Sequence, residues 1–177
     1  RLEPFPAAPL DFPIEPYARR HPFAYAAEDI PDLGRTIELH YPDPERLVDG
    51  WARRLIVSPG GTDTQGLLVS MTRAIRERFR YEARASEGTQ VPVETLRRGA
   101  GTCRDFALFM MEAARSLGFA ARFVSGYLYD DRAVGGGATH GRTRRKDRSL
   151  PFNFSAAGGA SLLVTMRGTR AWANQRK

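Results

Sequence analysis

The sequence predicts an α+β domain in which helices pack on an antiparallel sheet and a cysteine-bearing helix is buried between them. Three stretches carry that prediction. Leu67, Leu68, Met71, Ile75 and Phe79 recur at helical spacing and form one apolar stripe. The run behind Cys103, through Phe106, Phe109, Met110, Met111, Ala113 and Leu117, is apolar on more than one side, which is the pattern of a helix inside a core. Residues 119–129 then read as a strand, with Phe119, Ala121 and Phe123 on one face and Ala120, Val124 and Leu128 on the other. Apolar residues on both faces place that strand well inside a sheet.

The chain has 177 residues, enough for one domain with a substantial core. No apolar run approaches the ~20 residues of a membrane span, so no membrane role is expected. The start, Arg1-Leu2-Glu3-Pro4, shows no signal-peptide h-region. One cysteine makes no internal disulfide and no cysteine-rich zinc site, so no cofactor or metal is expected and a reduced, cytoplasmic setting is. The net charge of +7 is unevenly spread. Residues 141–177 hold nine Lys or Arg and one Asp, whereas residues 1–140 hold eighteen basic and nineteen acidic residues. Nucleic-acid binding by the main body therefore gets no support from charge.

Residues 1–34 are interrupted by Pro4, Pro6, Pro9, Pro13, Pro16, Pro22 and Pro31 and interleaved with aromatics. Proline removes amide donors and fixes φ, so this is an extended connector lying on a surface. Residues 35–177 are the core domain, with 141–177 its divergent, basic part. Asp43-Pro44-Glu45 has the form of a helix start, and Leu47, Val48, Trp51 and Leu55 would face inward from that helix. Ser58-Pro59-Gly60-Gly61 ends it, and Thr62 or Asp63 caps the stripe helix that follows, with Arg73, Arg76, Glu77 and Arg78 facing water. Residues 84–91 read as loop and 93–98 as a short helical turn. Gly118 is the residue after the cysteine helix. His21 reads as structural, His40 as a strand-edge residue, and 161–166 as one strand in the tail.

Chemistry concentrates at Gly101-Thr102-Cys103-Arg104-Asp105-Phe106-Ala107. Thr102 is placed to cap the helix, and Asp105 lies three residues on, in capping-box spacing. A thiol at a helix start feels the positive end of the helix dipole, which favours thiolate. A thiol nucleophile needs a base to take its proton, which the rest of the chain would have to supply; the glycine loop 135–137 is followed by His140.

Taken together, Cys103-Arg104-Asp105-Phe106-Ala107, then Ala121-Arg122-Phe123-Val124-Ser125-Gly126-Tyr127-Leu128, then Ala138-Thr139-His140 resemble the bacterial transglutaminase-like family. Phe79-Arg80-Tyr81 is similar to its approach to the cysteine. The resemblance implies a core related to papain-like cysteine proteases, Cys103 as nucleophile, His140 as base, and a peptide or protein substrate bearing a glutamine-type or peptide amide. In the family the histidine is followed by Ala-Trp, an acidic residue and a later Asp. Here Gly141-Arg142-Thr143-Arg144-Arg145-Lys146 follows instead. Asp147 is too near in sequence for that geometry. An amide also orients an imidazole, so Asn153 is a better stand-in than Asp147, and a site with no third member stands ahead of both. Two functions stand side by side: a thiol acyltransferase or amidohydrolase, and a catalytically inactive domain that serves as a structural or protein-interaction module. A third, weaker reading takes the basic tail as a nucleic-acid binder on an inert core.

Overall fold

The structure is a computed structural model that describes residues 14–58, 60–83, 87–125 and 160–165. Its first stretch is a strap. It contains a 3₁₀ turn at Pro16–Ala18, a two-residue strand β1 (Arg20–His21), a one-turn helix α1 (Ile30–Leu33) and a 3₁₀ turn at Gly34–Thr36. The described part of the connector is thus broken into short turns rather than continuously extended. Pro16 and Pro31 sit at helix starts, where the fixed φ of proline suits a first turn as well as it suits extended chain.

The strap is tied down along its length. β1 pairs antiparallel with β2 (Thr62–Asp63). The Tyr25 hydroxyl accepts the Ala120 N–H at 2.8 Å, and the Phe23 ring lies 5.6 Å from that of Phe119. His21 is buried, with Nε2 2.9 Å from the Leu117 carbonyl oxygen. A carbonyl only accepts, so Nε2 carries the proton there. The structural reading of His21 fits this position.

The helix expected from Asp43 begins later, as α2 (Leu47–Arg53). Asp43 still caps it, from outside. Its carboxylate accepts the N–H groups of Leu47, Val48 and Asp49 at 2.8, 2.9 and 3.3 Å. Arg46, at φ 51°, turns the chain left-handed so that the carboxylate reaches the first turn, which leaves Pro44 in the loop rather than at the first helical position. α3 (Thr64–Arg78) follows the apolar stripe. Asp63 caps it by accepting the Gly66 N–H at 2.6 Å; Leu67, Leu68, Met71, Ala74 and Ile75 are buried, and Arg73, Arg76, Glu77 and Arg78 are exposed.

β3 (Arg80–Tyr81) pairs in parallel with β4 (Ala100–Gly101), and α4 (Pro92–Arg98) lies within the crossover between them. α5 (Cys103–Ser116) follows at once. Its end is closed by Gly118 at φ +88°: the Gly118 N–H donates to the Arg115 carbonyl at 2.8 Å and the Phe119 N–H to the Ala114 carbonyl at 3.1 Å. β5 (Ala120–Ser125) then pairs antiparallel with β6 (Ala160–Thr165), in register from Ala120 opposite Thr165 to Ser125 opposite Ala160. Residues 39–41 form no strand, contrary to the reading of His40 as a strand-edge residue. The His40 N–H donates instead to the Glu112 carboxylate at 3.0 Å.

α5 is the centre of this α+β arrangement. It packs against α2, α3, α4, β5 and β6. All of its residues from Asp105 to Arg115 are buried. Its aromatic side chains interlock with two other helices: the Trp51 and Phe109 rings are 4.8 Å apart, Phe79 and Phe109 5.1 Å, and Phe79 and Phe106 5.7 Å. Among the described residues, no helix is long and apolar enough to cross a membrane.

Candidate active site

Cys103 is the first residue of α5, and the local sequence dictates its position. Gly99 turns the chain left-handed at φ +56°, β4 runs straight for two residues, and Thr102 stays extended at φ −83°, ψ 172°. The predicted capping box is present. Thr102 Oγ1 accepts the Asp105 N–H at 3.4 Å, and Asp105 Oδ2 accepts the Thr102 N–H at 2.7 Å. The Thr102 hydroxyl also donates to Oδ2, at 2.8 Å. Asp105 Oδ1 accepts the Gln90 N–H at 2.7 Å. Gln90 in turn donates through Nε2 to Thr95 Oγ1 at 3.0 Å and to the Ala100 carbonyl at 3.1 Å. Five residues from three elements therefore hold the backbone on both sides of the thiol.

This lock leaves no room at Gly101. A Cβ there would meet Asp105 Cβ at 2.9 Å and Oδ2 at 3.1 Å. Asp105 is a short side chain fixed by its donors and does not move aside cheaply. Gly101→Ala is expected to destabilise the protein by about 1–3 kcal/mol, the usual range of overpacking. A urea melt measures it. A melt coincident with that of the unaltered chain would show that the carboxylate is looser than its hydrogen bonds imply.

Cys103 is 5% exposed and forms no disulfide. Its electrostatics depart from the sequence expectation. Burial pushes the thiol up, against its own backbone amide, which pulls it down; Asp105 pushes it further up, and Arg104 pulls it down. Desolvation of a charged sulfur outweighs the pull of the helix start, so the described surroundings favour the neutral thiol. His140 and Asn153, the predicted base and orienting residue, lie outside the described residues, as do Asp147, the glycine loop 135–137 and the basic run 142–148. The structure thus places the predicted nucleophile at a capped helix start.

Sequence reading missed two features. One is the Gln90 bridge to Asp105. The other is a buried ion pair on α5, Glu112 with Arg115, at 2.8 Å and with side chains 3% and 4% exposed. Its signal was an acid and an arginine three residues apart on a helix with no polar face.

The family model described as Transglutaminase-like superfamily matches residues 52–174. The chain belongs to the transglutaminase-like superfamily. The matched range begins inside α2, contains the whole capped cysteine segment, and runs past His140 and Asn153. The expected fold class, a transglutaminase-like α+β core with a buried nucleophile helix, agrees with that membership and with the burial of α5. Among solved structures, the chain is similar to a candidate cysteine protease from Cytophaga hutchinsonii, at 22% identity and a TM-score of 0.41. The similarity covers 59% of this chain and 34% of that one, so the chain spans about a third of that protein's length. No curated protein matches the chain.

Proposed function

We propose that this transglutaminase-like domain is a thiol enzyme that forms an acyl-enzyme at Cys103 from a peptide or glutamine-type amide and passes the acyl group to an amine or to water. The observation that carries the reading is the capped start of α5, which fixes the lone cysteine at the first helical turn, inside the family's matched range. His140 takes the thiol proton. The sulfur attacks the carbonyl carbon, the C–N bond breaks, and the leaving amine takes the proton back from the imidazolium. An incoming amine or water then loses its proton to His140, attacks the thioester carbon and expels the thiolate. The Cys103 N–H, one of the first-turn amides without a helical partner, is suited to the developing oxyanion. Asn153 would orient the imidazole through its side-chain amide. The substrate would be a peptide or protein, no cofactor is needed for these steps, and a reduced cytoplasmic compartment suits a thiol nucleophile.

The burial of Cys103 favours a second reading, a catalytically inactive domain that acts as a structural or protein-interaction module. Iodoacetamide separates the two. Burial alone holds the thiol above its ordinary value of 9.0, so labelling would rise only at alkaline pH. A partner imidazolium reverses that order by stabilising thiolate. In the enzyme, Cys103 is expected to label at pH near 6, at least tenfold faster than in the His140→Ala protein. Labelling that in both proteins tracks a thiol of ordinary or raised pKa would establish the inactive module.

A further inference from the structure

One strand away from the segment that leads into Cys103 lies an edge, the outer side of β3, that the proposed chemistry does not use. In the β3–β4 pair, the Arg80 N–H donates to the Gly99 carbonyl at 2.8 Å and the Glu82 N–H to the Gly101 carbonyl at 2.9 Å. Backbone groups alternate in direction along a strand, so the N–H and C=O of the intervening Tyr81 point away from β4. Tyr81 is in register with Gly101, two residues before Cys103, and is 56% exposed. Its N–H makes no hydrogen bond among the described residues. A donor and acceptor that the described residues leave unpaired on an exposed edge form a template for one more extended strand.

A second observation bears on the chemistry of that strand. Arg104, directly after Cys103, is exposed and makes no hydrogen bond or ion pair among the described residues. Side chains in a first helical turn lean toward the helix N-terminus, which is the end that carries the thiol. The guanidinium also acts on the sulfur, pulling its pKa down. Four nearby charged residues engage one another: Glu82 lies 3.5 Å from both Arg80 and Arg98, and Arg98 is also 3.5 Å from Glu94.

We propose that the outer edge of β3 at Tyr81 docks the acyl donor as an added strand, and that this donor is an extended peptide with an acidic residue next to its reacting acyl group, recognised by Arg104. The proposal rests on Cys103 being the nucleophile. It excludes free glutamine and small amides as efficient donors, because they have no main chain to pair.

The test inactivates the full chain with short peptidyl chloromethyl ketones, in which the Cys103 sulfur displaces chloride. Each rate is divided by the iodoacetamide rate of the same protein, which reports on the thiol and the fold. N-methylating the probe's amides one at a time leaves the protein untouched. One position is expected to slow inactivation about tenfold, the effect of one or two main-chain hydrogen bonds. Tyr81→Pro, which removes an outward N–H without touching the β4 ladder, is expected to slow the unmethylated probe by about the same factor. A Glu-containing probe is expected to outpace its Lys counterpart about tenfold, and Arg104→Gln to bring the two to parity. The strand-docking proposal is overturned if every methylated probe stays within about twofold of its parent. It is equally overturned if methylation matters but Tyr81→Pro does not, because the peptide then pairs elsewhere. Equal rates for Glu and Lys probes overturn the acidic preference. A Cys103 that iodoacetamide labels no faster than an ordinary thiol removes the nucleophile itself, and the proposal with it; peptide insensitivity with a reactive thiol removes only the docking edge.

Discussion

Asp105→Ala is expected to cost about 3–5 kcal/mol, a large share of the 5–15 kcal/mol that holds a typical domain folded. The carboxylate is fully buried. It accepts two backbone N–H groups, from Gln90 and Thr102, and the Thr102 hydroxyl. Hydrogen bonds to a charged acceptor contribute roughly 1.5–3 kcal/mol each, and each orphaned amide adds a desolvation cost of its own. Asparagine does not repair the site. Each oxygen of Asp105 faces a backbone donor, so an amide would set its NH₂ against one of them whichever way it is turned. Asp105→Asn is therefore expected to lose about 2 kcal/mol rather than a few tenths. Urea melts of the two variants read both losses. A near-neutral Asp105→Asn would mean that Gln90 does not depend on this carboxylate.

The asparagine variant also carries an electrostatic readout. The charge of Asp105 is one of the influences that push the Cys103 thiol up. Removing a negative charge beside a group that ionises to an anion eases that ionisation, so the thiol pKa falls. The iodoacetamide profile of Asp105→Asn is expected to move toward lower pH, while burial still keeps it from falling freely. A profile that moves toward higher pH would mean that the loosened helix start matters more to the sulfur than the lost charge.

The parts of this site that were legible in the sequence are the local ones. Thr102, Cys103 and Asp105 lie within one helical turn, and a capping box is specified by residue types three positions apart, so the helix start and the cysteine's place in it could be read directly. The same holds for Asp63 on α3 and for Gly118 at the end of α5. The start of α2 was misread although Asp43, in the predicted start, does cap the helix. Asp43 reaches amides four to six residues on because Arg46 takes a left-handed turn, a conformation that arginine gives no sign of adopting. The electrostatics of the thiol were legible only in part, for a different reason. Helix position is a local property, but burial is set by what packs over the sulfur, and here burial wins. His140 and Asn153 were legible as residue types at plausible spacing, and spacing alone brings no side chain to the sulfur.

The buried ion pair shows how far nonlocal partners can dictate the behaviour of a helix that reads as apolar. Glu112→Ala is expected to destabilise the protein by about 3–5 kcal/mol, because Arg115 would remain buried without its counter-charge. A buried pair can often be replaced by apolar side chains of similar volume at little cost. That rescue is expected to fail here. Glu112 Oε2 accepts the N–H groups of His40 and Tyr41 at 3.0 and 3.2 Å. Arg115 Nε donates to the Thr36 and Ala121 carbonyls at 3.0 and 3.1 Å, and its Nη2 donates to Ala121 again at 2.8 Å. The pair thus satisfies four backbone residues on two segments, fastening the 36–41 loop and β5 to the cysteine helix. A Glu112→Leu, Arg115→Met double variant removes both charges and still strands those backbone groups, so it is expected to stay at least about 2 kcal/mol below the unaltered chain. Amide hydrogen exchange locates the damage: in both variants the His40 and Tyr41 amides should lose protection, whereas those in the middle of α3 should keep pace with global unfolding. A double variant as stable as the original chain would mean that the loop and strand find other partners, and that the pair contributes charge neutralisation rather than attachment.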